Sequence, residues 1–218
     1  MAISPNLSPW LIGAVLNSME EMVRYFGVIS TDQMEKLCHY HLLISEWNTK
    51  INLVSRGDME NFWTKHIVPS LCINKVVQFA PGSSVIDVGT GGGLPGIPLA
   101  ITNGAVKFTL VDSIGKKTSA VGDMVKKLAL NNVTVKNFRV ENLGEKFDYV
   151  VARAVSNLPT FLENIGGVCK KETRIFYIRG NDFSDEMEKF GNIRVHNMEK
   201  LLGDTSFATK VIVEIYNG

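Results

Sequence analysis

The fold is decided by residues 85–96, which read VIDVGTGGGLPG. A short apolar run is followed by glycines, which permit a tight turn and a close approach of the backbone to a ligand. Pro95 suits the first turn of a following helix, because its missing N–H is not needed there. A strand, a glycine-rich turn and a helix in this order form the place where an open parallel sheet binds nucleotide-like ligands. The stretch therefore predicts a ligand site at the carboxyl end of a strand.

The glycine pattern by itself does not identify the ligand. Gly91, Gly93 and Gly96 satisfy the weakly specific dinucleotide pattern Gly-x-Gly-x-x-Gly, and a glycine turn without any ligand is the alternative. Two features disfavour a dinucleotide. Asp87 lies inside the strand end, and Pro95 supplies no N–H where a pyrophosphate would need one. The pattern Asp-x-Gly-x-Gly-x-Gly resembles motif I of Rossmann-like methyltransferases, whose turn packs against the methionine end of the cofactor.

From Pro81-Gly82 onward, short apolar runs alternate with amphipathic segments. Runs that are apolar at every position are typical of strands buried on both faces of a parallel sheet. We therefore expect residues 81–218 to form an α/β, Rossmann-like domain: a mostly parallel, seven-stranded sheet with helices on both faces. Six strands can be placed, at Val85–Val88, Val106–Val111, Val133–Val135, Phe147–Ala152, Arg174–Ile178 and Lys210–Ile215.

Residues 1–80 show helical patterns and no convincing strand, so they predict an N-terminal helical extension. Ser30 and Gln33 have the spacing of a capping box at the start of one helix. Its inward face is predicted to carry Leu37, Tyr40, His41, Ile44 and Trp47. A second helix should follow Asp58 and be bent or ended at Pro69. Its inward residues are predicted to be Phe62, Trp63, His66 and Ile67.

Composition predicts a cytoplasmic protein without a metal, and it leaves the oligomeric state open, with a monomer favoured. The 218 residues include 23 Lys and Arg against 22 Asp and Glu, so no global field draws the chain to nucleic acid or to a membrane. Three scattered cysteines give neither a zinc spacing nor a disulfide framework, and the histidines show no metal-ligand pattern. The apolar stretch from Trp10 to Leu16 follows no basic residue and is too short to span a bilayer.

Several segments beyond the glycine turn resemble one family, the glucose-inhibited division protein B family, also called ribosomal RNA small-subunit methyltransferase G. They run in family order over roughly residues 40–180. The matching segments are His66-Ile67, Ser70-Leu71, Asp87 to Gly91, Gly93 to Leu99, Leu110 to Ser113, Gly115 to Lys117, Arg139 to Glu141 and Arg153-Ala154. The chain departs from the family at Pro69, where Asp is usual, at Ala120-Val121, where Phe-Leu is usual, and at Arg179, where Lys is usual.

The resemblance implies S-adenosylmethionine as cofactor and 16S rRNA, or the small ribosomal subunit, as partner. The implied reaction is methylation of N7 of a guanine in a decoding-region loop. In the family pattern Gly89 and Leu94 contact the cofactor, Val140 and Glu141 lie beside adenosine, and Arg153 closes the site. The expected cofactor-binding residues are Asp87, Gly89, Thr90, Gly91, Leu94, Asp112, Ser113, Val140, Glu141 and Arg153.

Asp112 stands at the end of the second predicted strand. An acid at this place accepts hydrogen bonds from the ribose hydroxyls in Rossmann-type sites. The alternative is an aspartate that only caps its loop, since Asp is common in turns. The spacing from Gly89 favours the ribose interpretation.

The chemistry expected at Arg153 is positioning. Guanine N7 carries a free lone pair, so its attack on a sulfonium methyl group needs no base, and the chain has neither a Pro-Pro-Tyr segment nor a Pro-Cys nucleophile. Arg153 is the candidate catalytic residue, holding either the methionine carboxylate or guanine O6. A structural salt bridge at the strand end is the alternative interpretation.

Local basic residues are candidates for RNA binding despite the neutral overall charge. The set is His66, Lys116, Lys117, Lys126, Lys127 and Arg179. A solvated helix face is the alternative for the lysines, and a packed core histidine is the alternative for His66. For the whole protein, the competing functions are a catalytically silent RNA-binding module and an NAD-dependent oxidoreductase, although no Tyr-x-x-x-Lys pair supports the latter.

Overall fold

The computed structural model describes residues 22–27, 29–154, 157–181 and 192–216. The segment from Trp10 to Leu16 lies outside them. Seven strands form one sheet: β1 Ser84–Val88, β2 Lys107–Asp112, β3 Val133–Asn137, β4 Phe147–Arg153, β5 Cys169–Gly180, β6 Ile193–Asn197 and β7 Lys210–Tyr216. Their order is β3-β2-β1-β4-β5-β7-β6. Strand β7 pairs antiparallel with β5 and β6, whereas β3, β2, β1, β4 and β5 pair in parallel.

The helices surround this sheet. The α-helices are α1 Thr31–Asn48, α2 Arg56–Met59, α3 Val68–Leu71, α4 Gly96–Thr102, α5 Gly115–Lys127, α6 Leu158–Ile165 and α7 Met198–Leu202. Residues 22–26 are also helical. A π-helix covers Trp63–Ile67, and short 3₁₀ helices cover Cys72–Lys75, Val140–Asn142, Gly166–Val168 and Thr205–Phe207. No helix among the described residues is long and apolar enough to cross a membrane.

The predicted α/β fold is confirmed, and each of the six placed strands is present. The seventh strand, β6, had no placed position, because Ile193–Asn197 alternates apolar and polar residues at the sheet edge instead of forming an apolar run. Strand β5 starts at Cys169, five residues before the predicted start at Arg174. Its first part is polar and pairs irregularly with β4, so apolar content does not mark it.

Helix α1 begins where the capping box predicts. The Ser30 hydroxyl accepts a hydrogen bond from the Gln33 amide (3.2 Å), and the Gln33 side chain accepts one from the Ser30 amide (3.1 Å). The helix buries Leu37, Tyr40 and Ile44 as expected, with His41 and Trp47 at the boundary of the core.

The second helix was predicted to be bent or ended at Pro69, and of these two alternatives the end is wrong. Helical geometry continues through Pro69 to Lys75. The turn before it is a π-helix, in which the Val68 amide donates to the Trp63 carbonyl five residues back. Proline cannot donate the α-helical bond to the carbonyl four residues earlier. The wider π turn changes the bonding register at this point, so the chain continues as a helix.

Two apolar clusters fill the two faces of the sheet. The first packs α1, the π-helix, α4, α5 and α7 against one face and includes Val85, Phe108 and Val151. The second packs α6 and the Val140–Asn142 turn against the other face and includes Ile86 and Ala152. The N-terminal helices thus share a core with the sheet. A boundary near residue 80 between a helical extension and the Rossmann-like domain stays a prediction.

A buried carboxylate joins the last three strands. Glu214 on β7 is 1% exposed and accepts hydrogen bonds from Arg174 Nη2 (2.5 Å) and Nε (3.2 Å) on β5. Its other oxygen lies 2.7 Å from His196 Nε2 on β6. Burial raises the pKa of Glu214, but the hydrogen bonds from Arg174 and His196 outweigh burial and lower it overall. The charged form therefore holds this edge of the sheet.

We expect Glu214→Gln to lower the free energy of unfolding by on the order of 3 kcal/mol, because it leaves the Arg174 charge without its buried partner. Urea unfolding followed by circular dichroism measures this. The control is Glu145→Gln, which removes an exposed ion pair with Lys136 and should cost less than about 1 kcal/mol. Equal losses in the two variants would contradict the assignment of Glu214 as a structural ion pair.

Candidate functional site

The glycine turn follows β1 at the carboxyl edge of the sheet. Gly89 and Gly91 adopt positive φ angles of 68° and 57°, a conformation that side chains disfavour. A Cβ at Gly92 would lie 2.8 Å from Ile44 Cδ1, and one at Gly96 would lie 2.6 Å from Asp87 Oδ2. At Gly91 the added Cβ would have one atom of the described residues within 4 Å, the Gly89 carbonyl oxygen at 3.9 Å. The turn is thus packed on its inner side and open above Gly91.

Asp87 lies beneath the turn and is fully buried. Its Oδ2 accepts hydrogen bonds from Thr90 Oγ1 (2.6 Å) and from the Gly96 amide (2.9 Å). Oδ1 is buried without a partner among the described residues. Burial raises the pKa of Asp87 to about 7, although these hydrogen bonds oppose the shift. The structure gives Asp87 and Thr90 a role in holding the turn, and direct contact of either with the cofactor stays a prediction.

Asp112, at the end of β2, both caps its loop and faces a cavity. Its Oδ1 accepts from the Ile114 amide (2.9 Å) and its Oδ2 accepts from the Gly91 amide (3.0 Å). Each carboxylate oxygen can accept a further hydrogen bond. The loop cap and the ribose contact are therefore compatible, and the ribose contact stays a prediction.

The cavity has a volume of about 340 Å³ and lies between the turn and α6. Five predicted cofactor-binding residues line it: Gly89, Asp112, Ser113, Val140 and Glu141. So does Lys117, which was predicted for RNA. Valine side chains and two carboxylates suit a nucleoside, which presents a flat apolar base and two hydroxyl donors. These residues fit the adenosine part of S-adenosylmethionine.

Seven lining residues were not among the predicted site residues: Val88, Val111, Phe138, Arg139, Ala154, Phe161 and Asn164. Phe138 follows β3 and is 46% exposed, which is unusual for a large aromatic residue. Its position directly before the family segment Arg139 to Glu141 was the available signal. Phe161 is buried on α6 and stacks on Tyr177 with ring centroids 4.9 Å apart. Nothing in the local sequence distinguishes it from an ordinary core residue.

Arg153 does not line this cavity. The next residue, Ala154, has a φ of 47° and does line it, so the chain turns sharply where β4 ends. Burial lowers the pKa of Arg153, and the charge of Asp58 opposes this shift. Arg153 forms no ion pair among the described residues, and its Nη1 is buried without an acceptor. The salt-bridge interpretation therefore finds no support there, and a positioning role stays a prediction.

The remaining predicted site residues lie outside the cavity, in different parts of the structure. Asp87, Thr90, Gly91 and Leu94 belong to the turn outside the cavity lining. Lys116, Lys126 and Lys127 are exposed on α5, and Lys127 pairs with Asp123 (2.9 Å). Arg179 is half-buried near the carboxyl end of β5, and His66 is buried in the π-helix. RNA binding by these side chains stays a prediction.

A comparison with protein families identifies the family of this chain. Residues 33–204 match the family model described as GidB, rRNA small subunit methyltransferase G. The chain belongs to this family. Proteins named ribosomal RNA small subunit methyltransferase G from Christiangramia forsetii and Flavobacterium johnsoniae are 41% and 39% identical to it. Each alignment covers 90% of this chain, and 96% and 97% of the two relatives. The resemblance stated from the motifs is confirmed.

Solved structures agree on the fold of this GidB-family chain. An S-adenosylmethionine-dependent methyltransferase from Aquifex aeolicus superposes with a TM-score of 0.53 at 17% identity, covering 80% of this chain and 98% of the other. TYW2 from M. jannaschii, in complex with AdoMet, gives 0.55 at 16% identity, covering 77% and 78%. The fold is thus that of a Rossmann-like methyltransferase, and the oxidoreductase alternative finds no support.

We expect Gly91→Ala to weaken S-adenosylmethionine binding at least about tenfold, because the added Cβ points into the open space above the turn where the backbone is predicted to approach the cofactor. Isothermal calorimetry measures this. Gly82→Ala is the matched control: its φ is also positive, at 79°, and nothing lies within 4 Å of the added Cβ. Both variants should lose similar stability, so equal cofactor affinity in the two would contradict the placement.

Asp87→Asn should change how stability depends on pH. The pKa of Asp87 is raised from 3.8 to about 7, so the folded state binds the proton more tightly than the unfolded chain does. Its contribution is fully present below about pH 4 and is lost as pH rises through about 7. Wild type should therefore lose on the order of 2 to 4 kcal/mol relative to Asp87→Asn between pH 4 and 8. Urea unfolding at stepped pH measures the difference, and parallel profiles would contradict it.

Proposed function

We propose that this protein transfers a methyl group from S-adenosylmethionine to N7 of a guanine in 16S rRNA. The observation that carries the proposal is the family match over residues 33–204, which includes every element that builds the cavity. The relatives' name, ribosomal RNA small subunit methyltransferase G, supports the RNA substrate. The proposed partner is 16S rRNA or the small ribosomal subunit, and the proposed place of action is the cytoplasm.

The cavity supports a defined placement of the cofactor, which supplies an electrophilic methyl group when it is bound. Asp112 and Glu141 are the acceptors for the ribose hydroxyls, and Val88, Val111 and Val140 provide the apolar wall for adenine. The backbone at Gly89 and Gly91 is left for the methionine part. This placement puts the methyl group at the open carboxyl edge of the sheet, where a substrate base has access.

Three polar groups near this edge, Asp87, His66 and Arg153, are poorly suited to remove a proton. Asp87 is buried beneath the turn and already accepts two hydrogen bonds. His66 is neutral, because burial lowers its pKa to about 3. The guanidinium of Arg153 has no lone pair to accept a proton. A nucleophile that is already deprotonated, such as guanine N7, fits this arrangement, and catalysis then consists of positioning.

The competing function, a silent RNA-binding module, predicts a pocket that has lost its polar acceptors. Here two carboxylates face the cavity, and one of them is fixed by backbone amides on both oxygens. A carboxylate held in a fixed orientation can accept hydrogen bonds from a bound cofactor, as a cofactor-binding protein requires. The cavity therefore favours the enzyme.

We expect labelled cofactor to transfer one methyl group to 16S rRNA from a strain that lacks this gene, and not to rRNA from the parent strain. Borohydride reduction and aniline cleavage, followed by primer extension, identify an N7-methylguanine product. Because no proton is removed, the single-turnover rate with saturating cofactor should be nearly flat from about pH 6 to 7.5.

The controls for the pH profile are Asp87→Asn, which removes a carboxyl group with a pKa of about 7, and His66→Asn, which removes a ring whose pKa of about 3 lies below the range. Arg153→Lys keeps the charge, loses the planar guanidinium, and should slow transfer without new pH dependence. A steep rise of the rate with pH that persists in both controls would show that a proton must be removed, and methylation at N7 would then be excluded.

A further inference from the structure

A second polar cluster lies outside the cofactor cavity, where the π-helix meets the end of β4 and the start of β7. We call it the cation cluster and define it as Lys65, His66, Arg153 and Lys210 with Asp58. Lys210 Nζ donates to the Lys65 carbonyl oxygen (3.2 Å), and Lys65 Nζ donates to Asp58 Oδ1 (2.7 Å). Asp58 Oδ2 lies 3.8 Å from His66 Nε2. These contacts join residues that are up to 152 positions apart in the sequence.

Positive charge is in excess in the cation cluster. Lys65, Arg153 and Lys210 each carry a formal positive charge, and Asp58 is the carboxylate that faces them among the described residues. Burial and the charge of Arg153 lower the pKa of Lys210 to about 8, while Asp58 opposes this shift. Positive charges held close together in a partly buried site repel one another, and a bound anion would offset this repulsion.

Hydrogen-bonding capacity in the cation cluster is also unmet. Arg153 Nη1 is buried and has no acceptor among the described residues. His66 is 6% exposed, and neither of its ring nitrogens has a partner there. Buried polar groups in native proteins are nearly always paired, and a group that is left unpaired costs about 1 to 3 kcal/mol. An acceptor is therefore missing at Arg153 Nη1 and at whichever ring nitrogen of His66 carries the proton.

The cation cluster and the cofactor cavity lie on opposite faces of the sheet. Side chains alternate between faces along a strand. In β4, Val151 belongs to the core beneath α1, whereas Ala152 belongs to the core beneath α6, beside the cavity. Arg153 follows on the α1 side, where Asp58 and Tyr40 act on it electrostatically. The side chains of Lys65 and Asp58 are 46% and 33% exposed, so the cluster has a side that is open to solvent.

We propose that Arg153, His66 and Lys210 bind one oxyanion, a phosphodiester group of the RNA strand that carries the target base. The inference rests on the proposed function for the identity of the ligand. A phosphate oxygen accepts from the guanidinium of Arg153 and from the neutral ring of His66, and its charge balances Lys210. The same chemistry is present in the carboxylate of the cofactor's methionine, so the experiment separates these two sources.

The first measurement uses inorganic phosphate and needs no RNA. In protein labelled with ¹⁵N-arginine, phosphate should shift the side-chain resonance of Arg153 with saturation in the wild type, and this shift should be lost in Lys210→Met. Arg153→Lys assigns the resonance. The Lys210→Arg variant keeps the charge and should retain the shift, which separates loss of charge from misfolding. Absence of a saturable shift in wild type and in Lys210→Arg would overturn the oxyanion site.

The second measurement compares RNA affinity as a function of salt for Lys210→Met and for Lys107→Met, an exposed control at the amino end of β2. Lys210→Met should bind 16S rRNA about tenfold more weakly, and the slope of log affinity against log salt should flatten by about 0.7 to 0.9. Lys107→Met should change neither, and cofactor affinity should stay within about twofold of wild type in both. Unchanged RNA affinity and slope in Lys210→Met would overturn the RNA assignment.

A carboxylate in the site gives a different result. Lys210→Met would then weaken S-adenosylmethionine at least about tenfold but leave the affinity for methylthioadenosine, which lacks the carboxylate, unchanged. That result would overturn the RNA phosphate and keep the oxyanion site. If wild type transfers no methyl group to rRNA, the proposed function fails, whereas the phosphate titration still decides whether the site exists.

Discussion

The carboxylate of Asp87 sits under the glycine turn and accepts hydrogen bonds from both ends of it, at Thr90 and at Gly96. Two further hydrogen bonds reach the turn from other parts of the chain. Asp112 on β2 accepts from the Gly91 amide, and the Tyr40 hydroxyl of α1 donates to the Gly92 carbonyl oxygen (2.9 Å). The backbone that is to meet the cofactor is thus fixed from below, from the neighbouring strand and from the helical extension.

This arrangement explains why the N-terminal helices are needed at the site. A Cβ at Gly92 would collide with Ile44 of α1, so the helix is packed directly onto the turn. Tyr40 is fully buried, and burial raises the pKa of its hydroxyl well above 10, so the hydroxyl is protonated and donates at neutral pH. The extension therefore forms one wall of the functional edge of the sheet.

The features that depend on neighbouring residues in the sequence could be predicted. Apolar runs placed six strands, a capping box placed the start of α1, and the acid-glycine pattern placed the turn. Strand β6 was missed, because an edge strand buries only one of its sides and so has no continuous apolar run. The continuation of the helix beyond Pro69 was also missed, because no local sequence pattern indicates the π-helical turn before it. The contacts between Asp58, Lys65 and Lys210 depend on how the chain closes across more than 140 residues, and no local pattern indicates them.

The two faces of the sheet carry different chemistry at the same edge. On the α6 face, Asp112 and Glu141 present acceptors to a ligand that donates hydroxyl hydrogen bonds. On the α1 face, Arg153 and His66 present unmet polar atoms beside an excess of positive charge. Arg153 and Ala154 are adjacent in the chain, but Arg153 lies on the α1 face and Ala154 lines the cavity on the α6 face. Side chains alternate between the faces along β4, and the left-handed backbone conformation of Ala154 comes directly after that strand. Arg153 on the cationic face thus lies one residue from Ala154 in the cavity lining, so an RNA strand bound at the proposed oxyanion site would pass beside the cofactor cavity.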